Sequence, residues 1–326
     1  MDFGFNDEQQ AIRDTAREML AKRSPLSRVR EHAEAGTRDD DLWKEICDLG
    51  WPGIAISEED GGQGLGMIEL AILCEELGYA CAPVPFLSNA IAGLVIDEGG
   101  SDEQRSRWLP GIASGEARGT AALDPEQPAT VVDADGAAIL ILPGAGIVEP
   151  DAASVESLDL IDATRTYAKA SAGDGDALPE ETGMFRPMVA LAAEMVGLAQ
   201  RALEMAVEYA KEREQFGRPI GAYQAVSHRC ADMLWDVEEA RSLTLYAAWA
   251  ADAEPETLPY AAHMAKARAS DSAWAVSSSA LQVLGGIGFT WEHDLQFLLK
   301  RGRVDGELLG SAGAHRDRVA ALAGLG

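Results

Sequence analysis

The chain has 326 residues, 54 of them acidic against 27 lysines and arginines, for a formal net charge of −27. Such an excess of acid excludes nucleic acid or an anionic membrane as the main partner, because both would repel it. The apolar fraction of 47% is that of an ordinary globular protein, and the length suffices for two or three domains.

The acidic, polar start MDFGFNDEQQ does not read as a secretory signal, and no apolar run reaches the length of a membrane helix. Cys47, Cys74, Cys81 and Cys230 have no CxxC spacing, so reduced cysteines in a cytoplasmic protein are expected and a metal site is not. Asn6-Asp7-Glu8 opens a helix whose apolar face carries Ile12, Ala16 and Leu20. A second helix is expected over 39–49. The glycines of EEDGGQGLG then mark a loop, and it follows no strand, so it is no dinucleotide fingerprint. Helical periodicity resumes at Met67 and is expected to stop at Gly78, with further helical stretches over 86–96 and 105–112. Residues 1–118 read as an all-helical domain.

From Gly119 to Gly183 the character changes. This stretch has 13 acidic and 2 basic residues, and Asp135-Gly136 between two apolar runs predicts a hairpin. With further strands expected at 146–148 and 166–170, residues 119–183 read as a short acidic β domain. Long helices return over 185–212, 222–251, 257–284 and 290–301, and a last one over 313–322. Residues 184–326 are therefore expected to form a helical bundle, and the fold class is mainly α.

Gly285, Gly286 and Gly288 interrupt this bundle in LQVLGGIGFTWEH. Each glycine in a helix interior costs about 1 kcal/mol against alanine. Three of them mean either a tight turn between helices or a backbone that a ligand approaches closely. In the second case amide groups and a helix start would face phosphate oxygens, with an arginine supplying the compensating charge.

Several stretches together resemble the acyl-CoA dehydrogenase family of flavoenzymes. FNDEQQAIRDTAR, LGWPGIAISEEDGGQGLG, CEELGYACAPVPF and RWLPGIASGE are similar to its helical N-terminal domain. EREQFGRPIGAYQAVSHRCADM and LQVLGGIGFTWEH are similar to two segments of its C-terminal bundle. The resemblance implies FAD as cofactor and α,β-dehydrogenation of an acyl-CoA thioester. It also implies that Arg213 and Phe216 meet the ADP part of a flavin held largely by a neighbouring subunit. Gln282, Gly285 and Gly286 would line the same pyrophosphate.

The chain departs from the family where the chemistry is done. That reaction needs a carboxylate to take the α-proton. By the family's spacing, Leu309 stands where most members carry the glutamate, with Ser311 and Gly313 at the neighbouring positions. Arg186 matches the arginine of a minority arrangement, but no carboxylate accompanies it. Glu194 and Glu307 are the remaining candidates for the base, against a plainer reading of each as a solvated or interfacial glutamate. The stretch 119–183 also lacks the TExxxGSD-like and W-I-T-N-like segments that cradle the flavin ring, and holds no tryptophan.

These absences imply the reduced partner in a pair, as in the bacterial α2β2 acyl-CoA dehydrogenases of steroid breakdown. The base would lie on the other subunit, and an electron-transfer flavoprotein would take the electrons. The competing readings are a self-sufficient homo-oligomer with a relocated glutamate, and a flavin-free acyl-CoA-binding or scaffold subunit.

The remaining candidates read more plainly. His228 is expected to be packed or interfacial, and His293 to lie near flavin phosphate at most. Thr290 is expected to cap the helix that follows, with Glu292 and Asp294 in its first turn. Arg301 and Arg303 read as interface or CoA-phosphate cations, and His315-Arg316 as a surface pair. Trp235, Tyr246 and Trp249 read as core or interface.

Overall fold

The computed structural model describes residues 4–179 and 184–325; Gly183, the expected end of the β region, lies outside them. The N-terminal third is six helices: α1 (Asp7–Arg23), α2 (Leu26–Ala35), α3 (Asp40–Asp48), α4 (Met67–Ala80), α5 (Phe86–Gly99) and α6 (Asp102–Ser114). Asn6 caps α1 through a reciprocal capping box with Gln9, and Ser101 does the same for α6 with Gln104. Helix α2 has no side-chain cap at Pro25, which is why no start signal announces it.

Helix α4 does not stop at Gly78. A Cβ there would lie 2.1 Å from the backbone oxygen of Glu194, and one at Gly197 would lie 1.9 Å from that of Glu75. The two glycines let α4 cross α7 (Phe185–Glu212) backbone to backbone, so Gly78 is a packing glycine inside the helix. Asp252, in the last turn of α8 (Gln224–Ala253), accepts a hydrogen bond of 2.8 Å from Met67 N and caps α4 from 185 positions away in the chain.

The strands are β1 (Gly119–Ala121), β2 (Ala129–Val132), β3 (Ile139–Leu142), β4 (Gly146–Val148), β5 (Ala153–Leu158) and β6 (Tyr167–Ala172). They form two three-stranded sheets, ordered β1-β3-β4 and β2-β6-β5. The hairpin expected around Asp135-Gly136 does not form. Its flanking strands belong to different sheets: β2 pairs with β6, while β3 pairs with β1 and β4. Asp133, buried at φ +54°, accepts a hydrogen bond from Ser88 of α5 and turns the chain from one sheet to the other. Val131, Leu140, Leu142, Val148 and Ala170 form the small core between the sheets.

Helices α7, α8 and α9 (Leu258–Leu284) pack on one another, with α10 (Leu295–Asp305) and α11 (Ala312–Leu322) against α9. The connections at 213–223 and 254–257 fold the three long helices back in turn. The end of α7, the start of α8 and the end of α9 therefore share one end of the bundle. No described helix is long and apolar enough to cross a membrane.

Candidate functional site

At that shared end, the chain between α7 and α8 forms a two-residue-strand hairpin, β7 (Glu214–Gln215) and β8 (Arg218–Pro219). Phe216 and Gly217 form its tip at φ +53° and +80°. This presents the Phe216 ring to solvent at 93% exposure, with only the edge of Tyr223 beside it. The backbone of Arg213 anchors the hairpin: its N–H donates to the Tyr209 oxygen, and its oxygen accepts from Ile220 N at 2.8 Å. Its guanidinium is exposed. Among the described residues, the guanidinium groups of Arg213, Arg218 and Arg229 make no hydrogen bond or ion pair, and Arg218 lies over the Tyr223 ring. In so acidic a chain, unpaired cations gathered within seventeen positions of one another are unusual.

The three glycines at the end of α9 have three different reasons. Gly285 takes φ +63°, ψ −139°, a backbone only glycine enters readily. Gly288 packs, since a Cβ there would meet Leu284 Cβ at 2.9 Å. Gly286 is open: nothing lies within 4 Å of a Cβ built on it, and the same holds on Gly285. Gln282 is exposed, and its amide has no partner among the described residues. The segment that follows is a 3-10 turn over Gly285–Phe289, and α10 begins only at Leu295. The glycines therefore lead into a 3-10 turn and not straight into the helix expected from 290. Thr290 instead donates to the Ile287 oxygen at 2.8 Å, and His293 Nδ1 accepts from Leu295 N. His293 thus serves as the local cap of α10, and Asp294 is tied to Arg30.

Glu194 lies elsewhere. It is buried, neither solvated nor interfacial, in an ionic cluster that joins the sheets to the bundle. Arg165, in the loop before β6, bonds Glu194 and also Asp305 of α10, the latter at 3.1 Å. Arg301 is 1% exposed, which overturns its reading as an interface or phosphate cation. Its Nε donates to Thr164 Oγ1 at 2.8 Å and its other nitrogens to the Thr164 and Ala82 oxygens; Nη1 is also 3.4 Å from Glu194. Asp162 accepts from Tyr167 OH at 2.7 Å and lies 3.7 Å from Arg301. Burial pushes the Asp305 carboxyl up, against the pull of Arg165. Every member is held by residues far away in the chain.

The turn over 306–311, where the family's base would stand, is also closed. Lys266 of α9 is fully buried, and its Nζ donates to Gly306 O and Gly310 O, both at 3.2 Å, and to Ser270 Oγ at 3.0 Å. Burial brings its pKa down to about 8. Between these anchors Leu309 sits at φ +60° and Gly310 at φ +108°. Beside the turn, Leu308 and Leu191 face Leu87, Ser88 and Ile91 of α5 across a void of about 10 Å³. That is room for about one water at most. Ser311 caps α11, and Gly313 is exposed. Glu307 is exposed and paired with Arg303 at 2.8 Å, which makes both residues surface groups.

The other candidates fall as follows. His315 is buried rather than on the surface. Its Nδ1 is 2.8 Å from His263 Nδ1, and burial brings its pKa down to about 4. Arg316 does lie at the surface, on Asp271. His228 is exposed rather than packed, and Arg186 is paired with Asp97 of α5 at 2.8 Å. Tyr246 and Trp249 stack on each other at the margin of the core, and Trp235 stands out at 71% exposure. All four cysteines are free thiols. Sequence reasoning missed Arg165, Asp305 and Lys266. A signal existed for the first: Arg165 and Lys169 are the only two cations in the acidic stretch 119–183.

Comparison with known proteins places this geometry. Residues 6–116 match the acyl-CoA dehydrogenase N-terminal domain, and residues 180–323 match the acyl-CoA dehydrogenase C-terminal domain. The chain is 34% identical over 310 residues to acyl-CoA dehydrogenase IpdE2 of Mycobacterium tuberculosis, covering 94% of each, and 33% identical to IpdE2 of Mycolicibacterium smegmatis, covering 94% of this chain and 96% of that one. Among solved structures, a variant of the Tcur3481-Tcur3483 steroid ACAD aligns over 98% of both chains, at a TM-score of 0.87 and 29% identity. This chain belongs to the acyl-CoA dehydrogenase family.

FAD is the cofactor of that family. The donors on this chain fit one end of it. An unpaired guanidinium, a free amide and two glycines with open space before them suit a diphosphate. Among the described residues no comparable set of donors gathers at Leu309, whose turn is held by Lys266 and borders a void of about 10 Å³.

Proposed function

We propose that this chain is the base-free subunit of a heteromeric, FAD-dependent acyl-CoA dehydrogenase. Leucine at position 309, in a turn pinned by Lys266, carries this reading. Leu309 cannot take a proton, and Glu307, two residues before it, faces solvent in a pair with Arg303, so we assign the base to another chain. When bound, FAD supplies the hydride acceptor for α,β-dehydrogenation of an acyl-CoA thioester.

The role of this chain is then to hold and orient. Arg213 neutralises diphosphate charge, Gln282 and the backbone at Gly285 and Gly286 line the same group, and the exposed Phe216 ring covers the adenine side. The unpaired state of Arg213 and the open faces of both glycines support this assignment. The similarity to a steroid ACAD whose name joins two proteins supports both a paired assembly and a ring-bearing acyl group. An electron-transfer flavoprotein is the expected acceptor. The helical, sheet and bundle regions, 1–118, 119–183 and 184–326, act as the three domains of that fold. A self-sufficient enzyme based on Glu194 is disfavoured, because two arginines hold that carboxylate.

Flavin absorbance and native mass, measured on the purified chain and again after co-expression with an acyl-CoA dehydrogenase encoded beside it, test the reading. A colourless chain that becomes a yellow heteromer, active only as such, is the expected result. One flavin per subunit and activity in the isolated chain would overturn it.

A further inference from the structure

We infer that the outer edge of β5 is a docking site for a basic, extended segment of a different polypeptide. This does not depend on the flavin reading above. Strand β5 lies at the end of its sheet and is paired along its whole length with β6 alone, from Ala153 opposite Ala172 to Leu158 opposite Tyr167. No hydrogen bond among the described residues reaches its other side. The backbone groups that point outward there are ready to pair with an added strand.

Both faces of the strand's middle are uncovered as well, while Ala153 and Leu158 at its ends pack against the cores. Ser154, Val155, Glu156 and Ser157 are all exposed, although alternate residues of a strand point to opposite faces. Val155 is 44% exposed, and Ile161, just past the strand, is 55% exposed. The core between the two sheets is built from β2, β3, β4 and β6 and does not extend beneath the middle of β5. A six-residue strand with four consecutive exposed residues and a free edge is an incomplete element, and the missing element is another strand.

Charge selects what can supply it. Natural sheets protect such edges with lysine, proline or a bulge, and β5 contains none of these. It is flanked by carboxylates instead. Asp151 precedes it, Glu156 lies within it, Asp159 follows it, and Asp174 comes just after the paired end of β6. None of the four has an ion pair among the described residues. The nearby Glu149 is occupied by Arg107, and Lys169, opposite Glu156 in register, is drawn to Asp124 at 2.6 Å. A second copy of this chain would bring these carboxylates face to face, and like charges directly across a ladder oppose pairing. The edge is thus barred to its own kind and open to a strand that alternates lysine or arginine with apolar residues.

A short peptide of alternating lysine and valine, and the same peptide N-methylated on alternate residues, test this on the whole chain. The methylated form keeps the charge but cannot add to a ladder. Hydrogen exchange read by amide should slow at alternate positions within 153–158 with the first peptide, and the second should bind about tenfold more weakly. A Glu156→Lys, Asp159→Lys double variant should weaken the first peptide by a similar factor. Equal binding of the two peptides would reduce the effect to bulk charge and overturn the proposal. So would protection confined to other segments, or self-association of the chain through 153–158.

Discussion

Two regions of this molecule handle arginine in opposite ways. Arg165 and Arg301 are buried, and each is engaged by carboxylates and backbone oxygens contributed from other elements. Arg213, on the hairpin after α7, is exposed and engaged by nothing among the described residues. A buried cation with its partners in place is a structural commitment, because neither side can be released without stranding the other. An exposed cation left unpaired in a chain of net charge −27 is available to a ligand. The first region is closed by its own partners; the second is open, as the proposed diphosphate contact requires.

The largest effect should come from breaking the first region. Arg165→Ala leaves Glu194 and Asp305 buried without their shared cation and should cost about 3–5 kcal/mol, visible as a large fall in Tm or loss of soluble protein. A fall of a degree or two would mean that water enters the cluster and that it is no lock. Next, Gly285→Ala forces a side chain into φ +63°, ψ −139° and should cost about 1–3 kcal/mol of chain stability. Gly286→Ala, with open space before it, should leave the stability of the chain within about 0.5 kcal/mol of the parent and weaken FAD in the assembled complex.

Arg213→Ala sharpens the contrast. It should lower FAD affinity about tenfold or more, as expected for a charge-assisted hydrogen bond, without changing the Tm of the flavin-free chain. An unchanged affinity would remove Arg213 from the site.

A smaller effect is expected with pH. Free histidine titrates near 6.5, whereas burial holds His315 down to about 4. Between those values the unfolded chain binds more protons, so this residue's contribution to stability is present at neutral pH and lost as pH falls through that window. Asp305, with its carboxyl pushed up, acts in the opposite sense. The comparison of Tm against pH between the parent and His315→Gln isolates the histidine, and the variant should show the shallower acid loss. Smallest of all, Glu307→Gln should leave both stability and complex activity unchanged, since it removes one surface pair worth about 0–1 kcal/mol.

What the sequence revealed follows the range of the interactions concerned. Helix α1, with its Asn6 capping box, and α7, whose observed bounds Phe185–Glu212 match the apolar periodicity, depend on neighbours in the chain. The Asp135-Gly136 hairpin failed because strand pairing was decided by β6 and β1, not by the turn. Gly78 looked like a helix end because the Glu194 backbone that demands a glycine there is more than a hundred residues away. Arg301 and Thr164, 137 positions apart, show the same limit, as do His263 and His315. Arg213, Phe216 and Gln282 were singled out through the family resemblance alone, and all three are exposed. Buried charge clusters carry no local pattern, and only the scarcity of cations between 119 and 183 pointed toward Arg165.

The hydrogen bond from Met67 N to Asp252 has a consequence for the order in which the chain is made. The first turn of α4 is completed by a carboxylate 185 residues downstream, and the close face of the same helix requires Gly197 to arrive. The first six helices therefore leave the ribosome without two of the contacts that finish them. Apolar surface on α4 stays open until most of α8 has been synthesised, and the N-terminal third is the part of the nascent chain most in need of a chaperone.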